Sequence, residues 1–145
     1  MILKLELLER VDQNLPKGFQ PYEIYSIFVG QDEVGRIVLR EGTDEERYFD
    51  GHIGYTIEET YRGHHYAYQA CLLLKERINM DHVMITCDPR NVASLKTIEK
   101  LGCQYLETKV IPSHLKKCFT KEEKEKRIYQ WNIKEEVIYE IFTCC

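Results

Sequence analysis

The chain has 145 residues, 43% of them apolar and 30% charged, with a net charge of -4. That length predicts one domain over 1–145 with a buried core, and the acidic balance argues against a nucleic-acid partner. No apolar run approaches the roughly 20 residues of a membrane helix, and Met1–Arg10 lacks the pattern of a secretory leader. The six cysteines include no C-x-x-C pair, and Cys71, Cys87 and Cys103 fall inside expected helix or strand segments. This is the usage of small buried hydrophobes in a reducing compartment, so the expectation is a cytoplasmic protein with no disulfide frame and no metal site.

Ile2–Leu8 alternates loosely and reads as a first strand; Arg10–Pro21, with two prolines and a glycine, reads as a loop. Tyr22–Val29 and Val34–Arg40 are rich in β-branched and aromatic residues and flank the turn Gly30–Glu33, which predicts a hairpin. Glu41–Asp50 is acidic and without apolar periodicity, an exposed connection. Ile53–Ile57 alternates as a strand. Apolar residues then recur at helical spacing, so a helix is expected over Gly63–Ile78. Val83–Cys87 is a short apolar strand, Val92–Lys100 a second helix stopped by Gly102, and Cys103–Ile111 another strand. Pro112–Arg127 is polar with one helical turn expected at Lys121–Lys126, and Ile128–Ile133 closes the sheet. The tail Val137–Phe142 fits a strand or a short helix equally.

The organising stretch is His52–Ala67, a strand, a polar turn and a helix start at Arg62-Gly63. Backbone N–H groups converge there without partners, which suits an anion such as a pyrophosphate. The run Arg62-Gly63-His64-His65-Tyr66-Ala67 is followed, after the next strand, by Asn91-Val92-Ala93-Ser94 and a helix ending in Lys100-Leu101-Gly102. Ile128-Tyr129-Gln130-Trp131-Asn132-Ile133 then reads as a last strand.

These ordered motifs resemble the GNAT superfamily of N-acyltransferases. That family's acetyl-CoA loop reads Gln/Arg-x-x-Gly-x-Gly/Ala, so Arg62 and Ala67 match and His65 stands where the inner glycine usually lies. The resemblance implies an α+β (mixed α/β) fold with a strongly twisted mixed sheet of about six or seven strands. A central β-α-β unit would bind acetyl-CoA, and the N-terminal helical region is shortened, because Arg10–Pro21 leaves room for at most one turn. It implies acetyl-CoA as co-substrate, no metal, and transfer of the acetyl group to an amine of a small molecule or protein. The pantetheine arm would pair along Tyr55, Thr56 and Ile57 where two parallel strands diverge. The pyrophosphate would sit on the amides of Arg62, Gly63, His64, His65, Tyr66 and Ala67. Asn91 would bond the pantetheine arm or cap the second helix, and Ser94 would face the cofactor. Arg62 also fits a solvated loop arginine, and His65 fits either a phosphate contact or plain exposure.

Many family members place a tyrosine acid seven residues after the asparagine and some a glutamate base five before it. Here those positions are Ile98 and Thr86, which do not titrate. The catalytic residues are therefore unassigned, with His52, Glu59 and Tyr66 as candidates and Glu58 and Tyr55 close by. A satisfied structural role is the plainer reading of His52, and Cys87 lacks any partner that would activate it as a nucleophile. The acceptor site is expected to be shallow or open, completed by a second subunit or by the 137–145 tail; a homodimer would fit. The acidic connection reads as a solvated loop more readily than as an amine trap. The alternative function is a non-catalytic acyl-CoA-binding or regulatory module.

Overall fold

A computed structural model of the chain describes residues 2–134. The tail Val137–Phe142 lies outside them. Chain order is β1 (Leu3–Val11), β2 (Tyr22–Val29), β3 (Asp32–Arg40), β4 (Ile53–Ile57), α1 (Tyr66–Lys75), β5 (His82–Cys87), α2 (Val92–Lys100), β6 (Gln104–Val110) and β7 (Glu125–Asn132). The strands form one seven-stranded sheet in the order β1-β2-β3-β4-β5-β7-β6. Every neighbouring pair is antiparallel except β4 and β5, which are parallel because α1 carries the chain across.

The core lies between one sheet face and the two helices. Alternation on β2 turns Tyr25, Ile27 and Val29 inward, and Ile37, Leu39, Ile53, Val83, Ile85 and Trp131 continue that layer. Ala70, Cys71 and Leu74 of α1 and Ile98 of α2 pack against it, each 0% exposed. Full burial of one such Leu or Ile contributes roughly 1.5–3 kcal/mol. The cysteine burial expected from composition holds for Cys71 and Cys87, whereas Cys103 is half-buried just ahead of β6 and Cys118 is exposed; all four described cysteines are free thiols.

Several boundaries differ from the sequence pattern for local reasons. β1 runs to Val11 instead of Leu8, because a bulge between Leu7 and Glu9 resets the alternation and puts Leu8 outside at 51% exposure. α1 begins at Tyr66, not Gly63, because Gly63 (φ +91) and His65 (φ +61) take left-handed conformations that a helix does not admit. It ends at Lys75, where Arg77 N–H to Leu74 O and Ile78 N–H to Lys75 O close a tighter turn. The helical turn expected at Lys121–Lys126 is absent: Glu125 and Lys126 already pair with Val110 and Lys109 as the start of β7. A short 3-10 turn forms at Ser113–Cys118, after Pro112 with its compatible φ of -59.

Candidate active site

β4 and β5 share a single register pair, Ile53 with Ile85. Beyond it the strands part, while β4 stays paired to β3 from Ile53 to Ile57. Among the described residues, the β5-facing backbone of Gly54–Ile57 is thus left without a strand partner. The vertex of the split is held by His52, which is 1% exposed. Its backbone N–H donates to Met84 O at 2.8 Å, and its Nδ1 accepts the Met84 N–H at 2.8 Å. Nε2, 2.9 Å from Gly42 O, must therefore carry the ring proton and donate it. Burial pushes the His52 pKa below its ordinary value, so the ring is neutral and both nitrogens are engaged.

Below the split the chain turns through a 3-10 segment, Glu59–Tyr61, into the loop 62–65 and the start of α1. The first-turn N–H groups of α1 have no helical acceptor. Gly63 and His65 both adopt positive φ, which bends the loop over the helix start. Arg62 Nε donates to Ile57 O at 2.9 Å, tying the loop to the end of β4. A cavity of 440 Å³ lies between this loop and α2, lined by Arg62, Gly63, His65, Tyr66, Ala67, Lys96 and Lys100 among others. Lys96 and Lys100 were not singled out by sequence. Their spacing puts them on the same helix face, and only the docking of α2 beside α1 makes that face part of the loop site.

A second cavity, 560 Å³, opens at the split itself between β4, the end of β5 and the start of α2. Tyr55 OH donates to Ser94 Oγ at 3.1 Å across it, and burial pushes the Tyr55 pKa up to about 12. Asn91 Oδ1 accepts the Ser94 N–H at 3.1 Å, capping α2. Thr86 Oγ1 donates to Phe49 O at 2.9 Å. Cys87 lines the cavity, 5% exposed, its thiol pushed up to about 11 chiefly by burial.

A third cavity, 710 Å³, lies on the other sheet face between β2, β3, β4 and the loop 12–21. It meets the split cavity at Asp50, Gly54 and Tyr55, which line both. Asp50 Oδ2 accepts from Arg47 Nη1 at 2.9 Å, while its buried Oδ1 has no partner among the described residues. Arg40 Nη1 donates to Asp50 O at 3.2 Å and Gly51 O at 3.1 Å. A Cβ on Gly54 would come within 3.0 Å of Arg40 Nη2, so the missing side chain is what lets that guanidinium lie on β4.

Of the sequence candidates for catalysis, His52 is enclosed at the vertex. Glu59 is exposed on the 3-10 turn and lines none of these three cavities. Tyr66 faces the loop cavity and stacks on His64 with ring centroids 5.3 Å apart. The acid that does stand between the split and the third cavity is Asp50. In the sequence it is the last of an acidic run, with nothing to separate it from Glu41, Asp44, Glu45 and Glu46. Three others of that run have partners of their own: Glu41 pairs with Arg10 at 3.0 Å, Asp44 with His82 at 2.6 Å, and Glu46 with Gln20 at 2.8 Å. Among the described residues no group of three or more His, Cys, Asp or Glu side chains is placed to hold a metal.

The family model described as acetyltransferase (GNAT) domain matches residues 6–104. The chain belongs to the GNAT acetyltransferase domain family. Among solved structures it is similar to the acetyl transferase from Salmonella typhimurium that modifies the N-terminal serine of 50S ribosomal subunit protein L7/L12. The identity there is 17% and the TM-score 0.61, over 77% of this chain and 64% of that one. It is also similar to Mycobacterium smegmatis RimJ in complex with CoA-disulfide, at 16% identity and TM-score 0.60, over 79% and 54%. A GNAT-family acetyltransferase from Bacillus anthracis is similar at 22% and 0.58, over 77% and 67%. The chain spans just under two thirds of the first of these proteins, and at such identities the likeness shows the fold. No significant relative is found among curated proteins.

Proposed function

We propose that this chain is an acetyl-CoA-dependent N-acetyltransferase working in the cytoplasm. The observation that carries the reading is the single-pair junction of β4 and β5 opening directly above a helix start with two positive-φ residues. Acetyl-CoA, when bound, supplies the acetyl group as a thioester. Tyr55, Thr56 and Ile57 have no β5 partner, so this side of β4 can pair with the amide-bearing arm of acetyl-CoA as an added strand would, apart from the Ile57 carbonyl, which accepts from Arg62. The amides of the 62–67 loop and α1 start, with Arg62, Lys96 and Lys100, suit its phosphates. His64, His65, Tyr66 and Ala67 line or shape that end, and Gly63 leaves open space above the loop.

At the split, Tyr55 donates to Ser94, which leaves the Ser94 hydroxyl hydrogen free to donate into the cavity. Asn91 lines the same cavity, where its Nδ2 can donate while its Oδ1 caps α2. Asp50 receives the amine and takes its proton, a role supported by its being the carboxylate that lines both cavities. His52 acts by holding the vertex and thereby the position of Gly54 and Tyr55. Isothermal titration with acetyl-CoA and a thiol-release assay over an amine panel test the reading. Absence of acetyl-CoA binding would end it.

A non-catalytic acyl-CoA-binding module is the second reading. It is favoured by Ile98, 0% exposed, and by Thr86, whose hydroxyl is committed to Phe49 O. Acetyl-CoA binding without thiol release from any amine would select it.

A further inference from the structure

We propose that the acceptor is an apolar amine of amino-acid size that also carries a carboxylate, bound in the 710 Å³ cavity with its amine at Asp50 and its carboxylate at Arg40. This deepens the acetyltransferase reading and rests on it. The walls are apolar: Leu15, Pro16, Phe19, Tyr22, Ile24 and Val38. The floor is cationic. Arg40 and Arg47 face one carboxylate, Asp50, and the third arginine of the lining, Arg36, is paired with Glu33 at 3.3 Å.

Two guanidiniums against one carboxylate leave a positive excess in a partly buried place, where an uncompensated charge is costly and an anion is welcome. Among the described residues, buried atoms on both sides of that balance lack a partner, and the acceptor among them, Asp50 Oδ1, suits the ligand's ammonium. Arg47 Nε is buried without an acceptor among the described residues. Arg40 uses Nη1 for the Asp50 and Gly51 carbonyls, and its Nη2 lies over Gly54, where a side chain would otherwise stand. A planar guanidinium with free donors is the group that best matches a carboxylate. The ammonium end of the same ligand then meets Asp50, which opens onto the split. A plain cationic amine would meet the arginines with like charge.

The test uses ligands that cannot react. Protein saturated with CoA is titrated calorimetrically with 3-phenylpropionate and with 3-phenylpropionamide, equal in shape and differing in charge. The acid should bind at least tenfold more tightly, and Arg40→Lys should reduce that ratio severalfold. Equal binding of acid and amide, or no binding of the acid, would overturn the proposal, and neither result needs the variant to fold. In turnover, phenylalanine should exceed phenethylamine at least tenfold in kcat/KM; the reverse order would also overturn it. Should no amine be acetylated at all, the acetyltransferase reading fails while the calorimetric comparison still decides the anion site.

Discussion

The imidazole Nδ1 of His52 accepts the backbone N–H of Met84 at 2.8 Å, one residue before β4 and β5 make their only register pair. The ring therefore replaces a rung of the ladder at the point where the ladder ends. Removing it strands the buried Met84 N–H and the Gly42 carbonyl. His52→Ala should cost about 1–3 kcal/mol, the penalty of stranding the buried Met84 N–H, since Gly42 is only half-buried. Urea unfolding measures it, and a loss under about 0.5 kcal/mol would contradict the role.

The same ring gives a pH dependence with a definite sign. Burial lowers the folded pKa of His52 below its ordinary value, so the unfolded chain takes up this proton more readily. Its contribution is fully present above the unfolded pKa of about 6.5 and is lost as pH falls through the folded value. Melting temperature should fall between pH 7.5 and 5.5 more steeply in the wild type than in His52→Gln. Parallel pH profiles would refute it.

His65 occupies the left-handed region at φ +61, where a β-carbon costs about 1–2 kcal/mol. His65→Gly relieves that strain and loosens the unfolded chain by about 0.4–1 kcal/mol. The expected net is a gain of roughly 0.5–1 kcal/mol with acetyl-CoA affinity kept. His65→Val, branched at the β-carbon, should be less stable than the wild type.

Gly35 on β3 faces β4 so closely that a Cβ would stand 2.2 Å from Thr56 O, a backbone atom that cannot swing aside. Gly35→Ala should destabilise by about 2–3 kcal/mol. It should also weaken acetyl-CoA binding, because the strand it displaces is the one flanking the split. Calorimetry on the folded fraction checks the second effect.

Asp50→Asn keeps the shape of the junction and removes the base. We expect thiol release to fall by about 10²–10⁴ with acetyl-CoA affinity unchanged within a factor of about three. An equal loss in both would make Asp50 a structural residue. Tyr55, pushed up to about 12, should add no alkaline limb to the rate profile below pH 10.

The chain's own pattern determined the parts that depend on neighbours in sequence. Alternation in Tyr22–Val29 and Ile53–Ile57, helical spacing after Tyr66, and Asn91 before α2 are local facts, and the strand-loop-helix from His52 to Ala67 could be read from them. The bulge at Leu8 and the start of β7 at Glu125 could not, because each is set by the strand alongside. The chemistry of the site belongs to this second kind. Asp50 looks like its acidic neighbours until Arg47 folds onto it and β4 brings it between two cavities, and Lys96 and Lys100 look like a solvated face until α2 docks beside the loop. His52 carries the same lesson in reverse. A histidine at the head of a strand has the pKa of a base, but the backbone of Met84, 32 positions away, takes its free nitrogen. Sequence spacing fixes which side chains share a face of one element; which of them meet across elements is decided by packing, and catalysis depends on that meeting.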